Sequence, residues 1–129
     1  MKRIILGLTV IMVAVLAAAC THSSPKNVAK AYTTAIQKGD AEKAADCFYY
    51  EGTDEEKEQS RATMIALCQK GMQGVEKHQG IKSFDIESVE EDGDKAIVHG
   101  TVTYGDGTSE PDEIATVKKD GKWYIDTNK

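Results

Sequence analysis

The sequence contains no Gly-x-Ser-x-Gly elbow and no glycine-rich phosphate loop, so acyl transfer of the hydrolase kind and nucleotide chemistry have no support in it. Its three histidines, at positions 22, 78 and 99, include no His-x-x-x-His pair; no metal or other cofactor is expected. The acidic groups Glu87, Glu90, Glu91, Asp92 and Asp94, and Glu110, Asp112 and Glu113, lack the Asp-x-Asp-x-Asp-Gly order of a calcium loop. They read as solvated surface near turns. Basic charge is outnumbered by acidic charge. Residues 1–19 hold two of the 16 Lys and Arg and none of the 21 Asp and Glu, leaving 14 basic residues against 21 acidic ones and a formal charge of −7. Nucleic acid and acidic membrane surfaces reward clustered Lys and Arg, so neither is an expected partner. At 129 residues the chain has room for one domain.

What the N-terminus does have is a targeting pattern. Lys2 and Arg3 precede an apolar run from Ile4 to Leu16, which leads into Ala17-Ala18-Ala19-Cys20. The run is too short to span a bilayer comfortably, since about 20 residues are needed. Residues 1–19 therefore read as a cleaved signal peptide. Small residues before Cys20 resemble the lipobox of bacterial lipoproteins, although Ala17 stands where Leu is usual and Leu16 lies one step earlier. The resemblance implies a diacylglyceryl thioether on Cys20 and an acylated mature N-terminus, a membrane anchor with more than the two hydrophobic signals that stable attachment needs. Ordinary cleavage after Ala19, leaving a free thiol, and an uncleaved anchor are the alternatives. Thr21 is not the Asp that often retains lipoproteins at the inner membrane of Gram-negative bacteria, so the resemblance points to the periplasmic side of the outer membrane.

Residues 20–24 make a short polar tether, and residues 25–129 make the domain. Ser24 as N-cap with Pro25 predicts a helix whose face carries Val28, Ala31, Tyr32, Ala35 and Ile36, ending at Gly39. Asp40 opens a second, short helix with Ala41, Ala44, Ala45 and Phe48 on one side and Cys47 at its edge. Thr53-Asp54-Glu55-Glu56 reads as a capping box for a third. Its apolar side is Met64, Leu67, Cys68, Gly71, Met72 and Val75. Gly71 and Gly74 each cost about 1 kcal/mol there relative to Ala, and mark a bend or a close approach to another backbone.

After Gly80 the apolar period becomes two, and Asp92-Gly93, Asp106-Gly107 and Asp120-Gly121 divide the rest into four strands of an antiparallel meander. Ala96, Val98, Gly100, Val102 and Tyr104 share the inner face, while Lys95, Ile97, His99, Thr101 and Thr103 share the wetter one. Trp123 and Ile125 point inward, opposite to Lys122, Tyr124 and Asp126.

Helices followed by a curved antiparallel sheet, with Gln37-Lys38-Gly39-Asp40-Ala41-Glu42-Lys43-Ala44 and the closing Lys119-Asp120-Gly121-Lys122-Trp123-Tyr124-Ile125, resemble the cystatin-like α+β cone of the nuclear transport factor 2-like superfamily. With the lipobox, these segments are similar to a family of short bacterial lipoproteins of unknown function within it. Catalytic members place an Asp, a His or paired carboxylates inside the cone. Tyr32 and Tyr104 are the inward candidates here, yet a Tyr base near pH 7 needs a strongly perturbed pKa. His99 falls on the wetter face. Tyr32, Met64, Met72, Phe84, Tyr104 and Trp123 are candidates to line a pocket, and equally to fill a core.

The expectation is therefore a lipid-anchored, non-catalytic envelope domain that binds a small apolar ligand or a protein partner, with the outer sheet face as a candidate homodimer surface. A small lyase or isomerase is the alternative. Cys47 and Cys68 are expected to pair as a disulfide in an oxidising compartment, the other reading being two buried thiols.

Overall fold

A computed structural model describes residues 21–127. The expected signal segment, residues 1–19, and the expected lipidation site Cys20 lie outside the described residues. Helix α1 spans Pro25–Lys38, α2 Ala41–Ala45 and α3 Asp54–Glu76. Strands β1 (Ile81–Asp92), β2 (Lys95–Tyr104), β3 (Ser109–Lys119) and β4 (Lys122–Ile125) follow. They form one antiparallel sheet in the order β1-β2-β3-β4, the expected meander.

The helix signals act as read. The Ser24 hydroxyl accepts the Asn27 amide at 3.0 Å, Asp40 accepts that of Lys43 at 3.1 Å, and Thr53 that of Glu56 at 3.2 Å. Each satisfies an amide that the first turn leaves without a partner. The capping box differs in its second half: the Glu56 carboxylate accepts the Thr53 hydroxyl. Gly39, with φ of 73°, closes α1 in the left-handed region that glycine enters without strain.

Alternation along β2 buries Ala96, Val98, Gly100 and Val102 and leaves Ile97 exposed. The inner face meets Val28, Ala29, Ala44, Cys47, Phe48, Trp123 and Ile125 in one cluster. Thr116, the one buried polar side chain among the described residues, donates to the Ala96 carbonyl at 2.9 Å, which removes the cost of burying a hydroxyl. Two register shifts in β1, between Ile81 and Ser83 and between Ile86 and Ser88, bend the sheet. Gly100 answers that bend, because a Cβ there would stand 2.6 Å from the Asp85 carbonyl oxygen and 2.8 Å from the Phe84 ring.

The free edge of β4 is covered from two directions. The Trp123 amide donates to the His22 carbonyl at 2.9 Å, and the His22 ring donates from Nδ1 back to the Trp123 carbonyl at 2.8 Å. Further along, the Ile125 amide donates to the Cys47 carbonyl, and Phe48 bridges Ile125 in parallel. An edge strand so occupied offers little to a foreign strand. The expected tether is thus docked on the sheet by residue 22.

Candidate functional site

Helix α3 is held at its two ends. Near its start Arg61 pairs with Asp46, at the end of α2, at 2.7 Å. Beyond its last turn the Gly80 and His78 carbonyls accept the Gly105 and Asp106 amides at 2.8 and 3.0 Å, and the His78 ring lies 3.2 Å from the Asp106 carboxylate. Between these fastenings only Cys68 is buried, and Leu67 is 57% exposed. Beneath the helix runs an open cleft of about 280 Å³. Met64, Leu67, Cys68, Gly71 and Val75 form one wall, Tyr32, Ile36 and Phe48 the second, and Phe84, Val102, Tyr104 and Asp112 the floor and mouth. A Cβ on Gly71 would meet nothing within 4 Å, nor would one on Gly74. Of the two readings of these glycines, a bend or a close approach to another backbone, the close approach is therefore absent; at Gly71 the missing side chain widens the cleft.

Of the six residues expected to line a pocket, Tyr32, Met64, Phe84 and Tyr104 are brought together. Met72 and Trp123 are not. Met72 packs against the core cluster and Trp123, 7% exposed, is part of it, which is the core-filling alternative of the same expectation. Asp112 is the one carboxylate of the cleft wall. It shares the inward phase of Ile114 and Thr116 on β3, a signal outweighed in the sequence by its acidic neighbours.

Burial pushes the Tyr32 phenol up to about 12, with smaller contributions from Cys68, Cys47 and Asp112. Its ring stands edge-on to Phe48 at 5.6 Å, and its hydroxyl has no hydrogen-bond partner among the described residues. Tyr104 donates to the Glu110 carboxylate at 2.6 Å, a bond that favours the protonated phenol and carries its pKa up to about 12. Neither phenol is poised as a base. His99 lies on the outer face, with Nε2 2.9 Å from Glu90 and Nδ1 3.4 Å from Glu113. Among the described residues no group of three or more His, Cys, Asp and Glu side chains gathers to hold a metal ion.

Cys47 and Cys68 are both buried and both free thiols in this structure. Burial raises the pKa of each; that of Cys47 reaches about 12, with Asp46 and Cys68 adding to the effect.

A family model described as a domain of unknown function (DUF4878) matches residues 18–126. Among solved structures, a Campylobacter jejuni protein described as a candidate NTF2-like transpeptidase is similar, with a TM-score of 0.66 and 22% identity over 80% of this chain and 97% of its own. A chain designated Rd1NTF2_05, with five substitutions, aligns with a TM-score of 0.49 and 18% identity over 78% of this chain and 90% of its own. No curated protein matches in sequence. The likeness to the Campylobacter jejuni protein, with the helices and antiparallel sheet described above, makes the fold the NTF2-like cone of helices on a curved four-stranded sheet.

Proposed function

The chain belongs to the DUF4878 family of domains of unknown function, and from that premise we propose a lipid-anchored envelope protein that holds a small apolar ligand in the cleft beneath α3. One observation carries the reading: the cleft is open, about 280 Å³ in volume, and walled mainly by apolar side chains, just below the usual size of small-molecule sites. Met64 and the bare Gly71 let that wall fit irregular shapes. Cys20, following a short apolar run, supplies the anchor in this proposal.

Two catalytic readings fare worse. The residues expected to act as base in a lyase or isomerase do not serve, since both tyrosines hold their protons to about 12 and His99 is on the opposite face; the cleft's one carboxylate, Asp112, is exposed. A transpeptidase needs an activated nucleophile. The cleft offers the Cys68 thiol, whose pKa burial raises, and thiolate is the reactive form.

The test is binding of a neutral apolar fluorophore, N-phenyl-1-naphthylamine, to the full chain in nanodiscs, set against Gly71→Leu in matched discs. A leucine projecting into the open cleft should weaken the protein-dependent signal at least several-fold while leaving the fold intact. Identical signals from the two proteins would remove the cleft as a ligand site. Intact mass tests the anchor: a mature species beginning at Cys20 without added lipid refutes it.

A further inference from the structure

We propose that the corner of the domain built from residues 21–22, the loop after α2 and β4 rests on the phospholipid headgroups of the membrane that carries the anchor. The inference rests on the anchored reading above and adds to it an orientation. His22 is fixed to Trp123 by two hydrogen bonds, and its ring lies 4.6 Å from that of Tyr124. Two residues of extended chain reach at most about 7 Å, so Cys20 cannot stand far from this corner. A lipid on Cys20 therefore brings this corner down to the bilayer.

The surface there has the chemistry of an interface. Tyr49, 36% exposed, sets its ring edge-on to Tyr124 at 5.2 Å. The Lys119 ammonium stands 5.8 Å from the centre of the Tyr49 ring, and Lys122 is exposed on the face it shares with Tyr124. Tyrosine suits the boundary between water and hydrocarbon, because its ring is apolar and its tip is polar. Lysine can lay its stem along the apolar layer and keep its charge among phosphates. The backbone at Trp123 and Ile125 is already paired with His22 and Cys47, so a partly dehydrated setting leaves those groups satisfied. Asp120 and Asp126 flank the patch, so charge alone adds little affinity. Affinity comes from the lipid; the patch sets the tilt. The acidic run Glu90-Glu91-Asp92 lies on β1, the opposite edge strand, about 14 Å away along the sheet across three strand spacings, and lines one cavity with Asp126 at the rim of the patch.

The experiment uses the full lipidated chain in vesicles of phosphatidylethanolamine with a minor share of phosphatidylglycerol. A spin label is placed at Lys122→Cys or, at the other end of the sheet, at the exposed Lys82→Cys; the buried native thiols stay unlabelled. Flotation with the vesicles is read first. The label at 122 should then be several-fold less accessible to a water-soluble nickel complex than the label at 82, and more accessible to oxygen. Adding Tyr49→Ser and Tyr124→Ser should return the label at 122 towards the value at 82. Equal accessibility at 122 and 82 in a protein that floats overturns the orientation and leaves the anchor standing. So does a label at 122 that the tyrosine substitutions leave unchanged. Protection that grows with the protein-to-lipid ratio assigns the face to a second copy of the chain, which also overturns the proposal. A chain that does not float overturns the anchor and this face together.

Discussion

Around Val28, Val98 and Thr116 the domain leaves side chains almost no contact with solvent, whereas along α3 a helix of 23 residues buries Cys68 alone. Both regions draw on ordinary core residues. The closed region is lined by small ones, Ala29, Ala44, Ala45 and Ala96, which let α1 sit close on the sheet and α2 close on α1. The open region is lined by Met64, Leu67, Gly71 and Val75, on a helix fastened at its ends and standing partly clear between them. Close packing in one region supplies the stability that lets the other remain unfilled, and unfilled apolar space is what a ligand needs.

The strongest way to break that contrast is to remove one large side chain from each region. Trp123→Ala should cost about 3 to 5 kcal/mol, enough to unfold a marginal domain, because Trp123 is 7% exposed within the core cluster. Leu67→Ala, in the open wall, should stay within about 0.5 kcal/mol. Urea denaturation measures both. Comparable losses would mean that α3 packs far more closely than its exposure indicates.

The two cysteines connect the regions, Cys47 beside β4 and Cys68 on α3. A disulfide between them would tie the open helix to the closed half, and in the chain-entropy model a loop of about 20 residues adds roughly 3 kcal/mol. Protein oxidised to that bond should melt higher than the same protein reduced, and should bind the naphthylamine probe more weakly if the helix is drawn inward. Thiol titration of denatured protein from an oxidising envelope, before and after reduction, reads the native state: none then two indicates the bridge, and two throughout indicates buried thiols.

Most of the closed region was legible in the sequence because its signals are local. Caps at Ser24, Asp40 and Thr53, three Asp-Gly turns and the alternation in β2 each act within a few residues, and each appears as read. Long-range relations were not legible. The His22 bond to Trp123 joins positions 101 apart, and neither residue advertises the other. Periodicity shows which side of α3 is apolar but not what that side meets, so it does not separate Met72 and Trp123, which belong with the core, from Ile36, Phe48 and Asp112, which line the cleft. Alternation through Ile114 and Thr116 already placed Asp112 inward. The acidic stretch around it pointed the other way.

Glycines sharpen the contrast at smaller cost. Gly100→Ala would force its Cβ against the Asp85 backbone and the Phe84 ring, so a loss of about 1 to 3 kcal/mol is expected. Gly71→Ala meets open space within a helix and should gain up to about 1 kcal/mol. Opposite signs in the same denaturation assay are the required result. A destabilising Gly71→Ala would show that α3 closes on the sheet in solution.

The smallest effect lies at the boundary of the two regions, at Tyr32. Its folded pKa of about 12 exceeds the ordinary value of about 10 for a tyrosine in an unfolded chain. The fold thus favours the neutral phenol, and the contribution is fully present below pH 10 and lost as pH rises towards 12. At pH 11 at most about 1.4 kcal/mol of it remains, reduced by solvent at the open cleft. Tyr50 shifts in the same direction, so the native protein should lose stability through this window for more than one reason. Tyr32→Phe should make the decline between pH 10 and 12 shallower without abolishing it. A ligand filling the cleft would exclude water from the Tyr32 hydroxyl and raise its pKa further, moving the phenolate absorbance step to higher pH. An unmoved step in the presence of bound probe would place the probe elsewhere.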